Sequence, residues 1–445
     1  MSSPPLRSRL RLIPIVLGQA FGLLCGIVGI RLNSHLVPPA LLGVYGVFLT
    51  FAPIGTWLVH AGLVKLVARN WAASERRADL WRQVALTWAR RLPWLALAAA
   101  AAAFAMRGLP ETRPLPLILA LFFSASLLAL AALAQTALQA ERTHWRDCAV
   151  SATGSLTRTF APPLLFAATT GTVNALWLGF CLHGCVTAAA GLWALHPYWR
   201  ASKNGPDQNS RPAFPPVYEG PLFIALAFVG WALPGLNRWV VAGFFGEVQA
   251  GYFTLASGAL VLPATLGAVL MQYFQPGLFI LGDGPAALRP TLARRVDLIA
   301  LVHALGSLAA LGVLVWVGPY LIGNLISPRY RDALGWLLPV GCFGTATITG
   351  AFYHTLLLAG RQERACGPVD LTHAALLAGG SLIAAAAGGQ LWFERWLLVT
   401  PLVPWLVTRP MARHYVLRPG ADPAPAPARG GTSARRACVR REQPA

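Results

Sequence analysis

Apolar residues run through this chain in long stretches separated by short polar links, without the strict alternation of half-buried strands. A stretch of about 18 or more such residues can cross roughly 30 Å of hydrocarbon as a helix, which satisfies its own backbone N–H and C=O groups. The pattern predicts spans over about 12–32, 41–66, 84–106, 115–139, 147–169 and 172–195. After the polar link "RASKNGPDQNSRPAFPP" it predicts six more, over about 220–245, 250–280, 297–321, 333–359, 369–389 and 392–409. The expected fold class is an all-α polytopic membrane protein with about twelve transmembrane helices. Pro53, Pro162, Pro163, Pro234, Pro263 and Pro339 interrupt spans, which frees backbone groups and permits bending.

The two halves carry a shared phrase. "LLGVYGVFLTFAPIG" at 41–55 returns, loosely respelled, as "VQAGYFTLASGALVLPATLG" at 248–267. Gly43 and Gly251 align at an offset of 208 residues, each with an aromatic residue two positions on (Tyr45, Phe253) and a basic residue before it (Arg31, Arg238). An even number of spans lies between the copies, so both halves enter the membrane in the same direction. The expectation is a parallel repeat: an N-terminal six-helix bundle (1–196), an inter-bundle linker (197–219), a C-terminal six-helix bundle (220–410) and a basic tail (411–445). Many secondary transporters use two such bundles, with the substrate path between them.

Composition excludes an ordinary soluble domain, since 56% of residues are apolar, 12% are charged and the mean hydropathy is +0.55. The first apolar run is long, lacks a small-residue cleavage site and ends at Arg31, which favours a retained span over a removable signal. Seven cysteines are scattered without a CxxC pair, so neither a disulfide framework nor a metal site is expected, and no cofactor motif is present.

The formal charge of +20 is accounted for by topology, without nucleic acid as a partner. Lys and Arg concentrate in the links on one side: Arg7, Arg9 and Arg11, the run from Arg69 to Arg91, Arg142 and Arg146, Arg200 to Arg211, Arg289 to Arg295, Arg361 and Arg364, and the tail. The positive-inside rule then places both termini in the cytoplasm. The tail, rich in Pro, Ala and Arg, is expected to stay disordered against anionic phospholipids of the inner leaflet.

No Asp or Glu falls at the centre of a predicted span, but positive charges do: Arg31 at the end of the first, Lys65 near the end of the second, Arg158 in the fifth and Arg238 in the seventh. An intramembrane Arg is costly and normally faces a protein interior or a wet cavity. If these four shared a cavity it would be cationic, fitted to a phosphate or diphosphate that an Arg fork can grip. His183, His303 and His354 (and His373) are also intramembrane; each is a candidate proton carrier or cavity group, or a neutral helix contact. Asn33, Thr50, Gln135, Gln139, Asn237 and Gln272 are candidates to line the cavity or to join helices.

The segments "GIRLNSHLVPPALLGVYGVFLTFAPIGTWLVHAGLVKLVARNWA" and "LNRWVVAGFFGEVQAGYFTLASGALVLPATLGAVLMQYFQP" resemble the first two spans and spans seven and eight of the polysaccharide (O-antigen, Wzx-type) flippases. That family belongs to the multidrug/oligosaccharidyl-lipid/polysaccharide (MOP) exporter superfamily. Arg238 stands on the family's basic position, and Asn237 replaces an acidic residue often found beside it. The resemblance implies an inner-membrane transporter, not an enzyme. Its task would be to move undecaprenyl-diphosphate-linked oligosaccharide outward by alternating access, serving polysaccharide polymerase machinery, with Arg31, Lys65 and Arg238 as carried-over site residues. The competing readings are a cation-coupled multidrug exporter of the same fold and a membrane polysaccharide polymerase or ligase.

Overall fold

The computed structural model describes residues 12–60, 62–71, 77–109, 112–141, 143–169, 171–201, 235–282 and 284–418. Most of the expected linker, the start of the span expected at 220–245 and the tail beyond Arg418 lie outside the described residues. The chain is a succession of helices: α1 (Leu12–Leu36), α2 (Pro39–His60), α3 (Leu63–Asn70), α4 (Arg77–Ala105), α5 (Pro114–Ala140), α6 (His144–Ala168) and α7 (Val173–Ala201). The second half comprises α8 (235–245), α9 (Glu247–Ala256), α10 (Val261–Gly282), α11 (Arg289–Leu321), α12 (Ala333–Ala359), α13 (Glu363–Ala374), α14 (Gly380–Val399) and α15 (Arg409–Leu417). Among the described residues, eight helical stretches are long and apolar enough to cross a membrane. Large apolar side chains such as Leu24, Trp94, Phe104, Leu305 and Leu406 point outward, as a lipid-facing surface requires.

Two features differ from the sequence reading and one refines it, each for a local reason. The second predicted span stops early: α2 ends at His60, Gly62 takes a left-handed φ of 73°, and α3 begins at Leu63. Arg91 donates from Nη1 to the Val59 carbonyl (2.7 Å), satisfying an acceptor that the end of α2 would otherwise strand. Leu63, Leu66 and Val67 are buried while Ala68 is exposed, so α3 is a short amphipathic helix set off from the span.

The 363–417 region folds back on itself. A π-helical turn at Ala375–Gly379 precedes α14, and Gly389 (φ 66°, ψ −156°) interrupts it. The backbone of Gly380 lies against the Trp396 ring, and the Trp396 indole donates to the Leu377 carbonyl (3.2 Å). The two arms predicted at 369–389 and 392–409 therefore lie side by side. Finally, the stretch 411–417, expected to begin the disordered tail, is helical, because Arg409 and Arg413 are both anchored on Asp297 and Ala412 and Val416 are buried.

Where the halves meet, their shared phrase is the contact. A Cβ on Gly43 would strike the Glu247 carbonyl, a Cβ on Gly251 would strike the Pro39 carbonyl, and one on Gly46 would strike Thr254. At this end of the molecule one hydrophobic core is common to both halves: Val37, Leu42 and Phe48 cluster with Leu255, Ile326 and Tyr330. At the opposite end the cores are separate. One, around Trp71, Leu133 and Leu195, belongs wholly to the first half, and another, around Leu292, Phe352 and Val416, wholly to the second. Among the described residues, then, the halves share a core at one end and keep separate cores at the other.

The closed end is also tied by polar contacts from the 322–332 loop to the α1–α2 turn. Tyr330, fully buried, donates its hydroxyl to the Val37 carbonyl (2.9 Å), Arg329 donates from Nε to the Ser34 carbonyl (3.0 Å), and the Ser327 amide donates to the Ser34 hydroxyl (3.3 Å).

Candidate functional site

A cavity of about 440 Å³ lies between the halves. Each helix around it contributes one face at helical spacing. From α1 come Gly22, Cys25, Gly26, Gly29, Ile30 and Asn33; from α2, Leu42, Tyr45 and Leu49; from α6, Ser155, Arg158, Thr159 and Pro162. The second half adds Arg238 from α8 and Thr254, Ser257, Gly258 and Val261 from α9, α10 and the turn joining them. The small residues of α1 keep its backbone close to α6, where the Thr159 hydroxyl donates to the Cys25 carbonyl (3.2 Å). The cavity wall is thus formed partly by backbone and is narrow on that side.

Two of the four predicted cationic residues share this cavity. Arg158 and Arg238 both line it, close enough to interact electrostatically with each other and with Tyr45. Among the described lining residues none is acidic, so none of them neutralises the two guanidinium charges. Arg238 donates from Nη1 to the Gly46 carbonyl (3.3 Å), while its buried Nε has no partner. The next residue, Trp239, donates its indole N–H to the Thr50 hydroxyl (2.9 Å) and meets Phe51 edge to face, so α8 docks on α2 across the division between the halves.

The cavity wall holds further unspent hydrogen-bonding capacity. Asn33 uses its amide nitrogen on the Gly29 carbonyl (2.9 Å) but leaves Oδ1 buried without a partner, and Thr254 Oγ1 is likewise unpaired. Beside Arg238, buried Asn237 has neither amide atom satisfied among the described residues. Buried polar atoms left unpaired cost roughly 1–3 kcal/mol each unless water or a ligand meets them. The arrangement is a cationic chamber whose wall offers donors from Arg238 Nε and Thr254 and an acceptor from Asn33.

The remaining predicted residues lie elsewhere. Arg31 is on α1 but exposed, and it is not among the lining residues. Lys65 belongs to α3, beyond the end of α2, and its side chain lies outside the described residues. His183 is buried between α6 and α7, its Nδ1 within hydrogen-bond distance of the Thr157 (3.0 Å) and Thr187 (3.2 Å) hydroxyls. His303 is fully buried in the second half, bonded to Thr349 (3.1 Å) and the Pro263 carbonyl (2.9 Å). His354 pairs through Nδ1 with Asp370 (2.6 Å), and His373 with the Thr408 hydroxyl (2.8 Å). These histidines join helices within one half and do not line the central cavity.

Of the polar candidates, Asn33 lines the chamber, Gln135 bonds Ser151 (3.1 Å), Gln139 bonds Asp147 (3.1 Å), and the side chain of Gln272 lies outside the described residues. Tyr45 and Ser155 were not singled out as site residues by the sequence. A signal existed, because Tyr45 falls on the same α2 face as Leu42 and Leu49, and Ser155 one turn before Arg158.

Three solved structures share this arrangement of helices. A multidrug-resistance MATE family transporter of the MOP superfamily in its inward-facing conformation matches with a TM-score of 0.55 and 12% identity, covering 91% of this chain and 98% of the other. The lipid II flippase MurJ in an inward closed conformation matches with a TM-score of 0.60 and 11% identity, over 91% of this chain and 86% of that one. An outward-facing MATE family transporter of the same superfamily matches with a TM-score of 0.56 and 16% identity, over 93% and 96%. The fold is that of MOP-superfamily transporters. No protein-family model matches the sequence, and no curated protein matches it. The chain is thus a multi-pass membrane protein whose structural neighbours are transporters, among them both drug exporters and a lipid flippase.

Proposed function

We propose that the protein is a flippase for a lipid-linked oligosaccharide carrying a diphosphate, of the kind used in surface polysaccharide synthesis, with undecaprenyl diphosphate as the carrier in a bacterial inner membrane. The observation that carries this reading is the pairing of Arg158 and Arg238 in a cavity with no acidic residue among its described lining. Two guanidinium forks can replace the water lost by a diphosphate, whereas a cationic cargo would be repelled. Asn33, Tyr45 and Thr254 offer hydrogen bonds to the adjoining sugar. A volume of about 440 Å³ suits the diphosphate and the first sugar, with the rest of the glycan reaching toward the divided end and the prenyl chain remaining in lipid.

The Lys and Arg bias places the 322–332 loop outside, so the described state opens inward and is sealed outward. Loading would then occur from the cytoplasmic leaflet. Outward passage requires the Tyr330, Arg329 and Ser327 contacts and the Gly43/Gly251 seam to part as the inner ends approach. An inside-negative potential drives net negative charge outward by about 2.3 kcal/mol per charge per 100 mV.

The alternative is a cation-coupled drug exporter, with which the fold is equally consistent. It draws support from the Asp370 carboxylate paired with His354 in the second half, a group that could exchange a proton. Depletion of the protein followed by leaflet-resolved extraction of lipid-linked sugars separates the two. The flippase reading expects diphosphate-linked glycan to accumulate on the cytoplasmic side. Normal delivery to the outer face together with heightened sensitivity to cationic drugs would establish the exporter.

A further inference from the structure

A second cavity, of about 260 Å³, lies between α6 and α7 at the end where the two cores are separate. Its lining includes Arg146, Ala149 and Thr153 from α6 and Trp193, His196 and Pro197 from α7. At about 100° per residue, Ala149 lies about 180° around α6 from Arg158, so this groove faces away from the central chamber, toward the periphery. Trp193 is 81% exposed, and Trp145, at the start of α6, is 63% exposed. Exposed Trp at the end of a span marks the level of the lipid headgroups.

The groove combines an apolar trough with a cation at its head. Arg146 is held in place: Nη1 donates to the Ala194 carbonyl (3.2 Å) and the guanidinium sits 5.3 Å from the centre of the Tyr198 ring. Those contacts fix the group without neutralising it. Among the described residues neither neighbouring carboxylate pairs with it: Glu141 meets Arg77 (2.6 Å) and Asp147 accepts from Gln139 (3.1 Å). The Lys and Arg bias puts this end on the cytoplasmic side, where anionic lipids are concentrated.

We propose that the α6/α7 groove is a binding site for an anionic phospholipid of the inner leaflet, its headgroup phosphate on Arg146 and His196 and an acyl chain along Ala149, Thr153 and Trp193. A basic pocket between spanning helices on the cytoplasmic side is the geometry that holds such headgroups. The site is independent of the cargo chamber. It bears on α6, the helix that carries Arg158, so lipid occupancy would stiffen one wall of that chamber.

The test is native mass spectrometry of the purified full-length protein with phosphatidylglycerol or phosphatidylcholine titrated into the detergent. Wild-type protein is expected to retain phosphatidylglycerol preferentially, and Arg146→Gln to reduce that retention about fivefold while leaving phosphatidylcholine unchanged. Ala149→Trp, which fills the trough without touching the charge, is expected to reduce it as well and decides the matter if Arg146→Gln does not insert. Equal retention of both lipids by wild-type protein, or an unchanged phosphatidylglycerol excess in Ala149→Trp, overturns the proposal. So does displacement of bound phosphatidylglycerol by equimolar farnesyl diphosphate that Arg158→Gln leaves intact, which would make the groove a prenyl diphosphate site.

Discussion

Gly43 and Gly251 make reciprocal contacts: the first abuts the carbonyl of Glu247 and the second that of Pro39, and Glu247 follows Pro39 by the same interval that separates the glycines. Residue i of one half touches residue j of the other while j touches i, which is the signature of a self-complementary, twofold interface. The chain writes its phrase twice because the two copies pack on one another. Only a residue without a Cβ admits a carbonyl at that distance.

Enlarging either glycine should therefore wedge the closed end apart. Gly43→Ala or Gly251→Ala is expected to destabilise the outward-sealed state by about 1–3 kcal/mol, a cost typical of overpacking. The check is a Ser34→Cys reporter labelled with a membrane-impermeant maleimide from outside. Labelling should rise in both glycine variants, and unchanged labelling would show that the seam is not what seals this end.

The two cavity arginines should be separable from the other intramembrane cations. Arg158→Gln and Arg238→Gln are each expected to reduce export by at least about tenfold, since a charge-assisted contact is worth about 1.5–3 kcal/mol. Arg31→Gln, outside the chamber, should cost less than about threefold. The measurement is surface polysaccharide normalised to inserted protein. Full export by the Arg158→Gln, Arg238→Gln double variant would sink the cationic-chamber reading.

Much of this was legible in the sequence because the bilayer makes strong demands. Unbroken apolar length points to where spans lie, and the cost of burying a positive charge drew notice to Arg158 and Arg238 together with Arg31 and Lys65. The Gly43/Gly251 match marked the repeat, but not that its two copies pack on one another. What stayed hidden depends on tertiary partners. The break at Gly62 looks like any apolar stretch until Arg91 is seen on the Val59 carbonyl, and that break takes Lys65 off its predicted span. Arg31 and the histidines have the same composition whether they face a cavity, lipid or a hydroxyl, so one sequence cannot sort them. The helix at 409–417 was missed because the polar face of α15 reads as a solvated tail until Asp297 is placed beneath it.

Tyr330 gives the closed end a pH signature. Its phenol lies in the loop between spans, and burial raises its pKa above the ordinary value of 10.0. A group whose folded pKa is raised contributes stability that is complete below its unfolded pKa and lost as pH climbs through the folded one. The stabilisation from the Tyr330 to Val37 bond should therefore be complete at neutral pH and fall as pH climbs past about 10, where the unfolded phenol ionises first. In thermal unfolding, Tyr330→Phe is expected to lower the midpoint at pH 7, by about 0.5–1.5 kcal/mol in stability, and to narrow its gap to the wild type as pH rises past 10. A gap that is constant from pH 7 to 11 would mean that the hydroxyl is not the source of the difference.

Asp297 should be the anchor of α15. It receives Arg409 through both carboxylate oxygens (3.1 Å each), Arg413 (3.0 Å) and the Tyr353 hydroxyl (3.3 Å), so one carboxylate joins α11, α12 and α15. Both arginines are about a third exposed, which screens the charge attraction and leaves the shared hydrogen bonds as the main contribution. Asp297→Asn keeps the size and one acceptor but removes the charge and turns one oxygen into a donor facing guanidinium groups. The expected loss is about 1–3 kcal/mol, expressed locally as release of 409–417. Limited trypsin digestion in inside-out vesicles should then cleave at Arg413 in Asp297→Asn while the wild type resists. Equal resistance would show that burial of Ala412 and Val416 suffices to hold α15 in place.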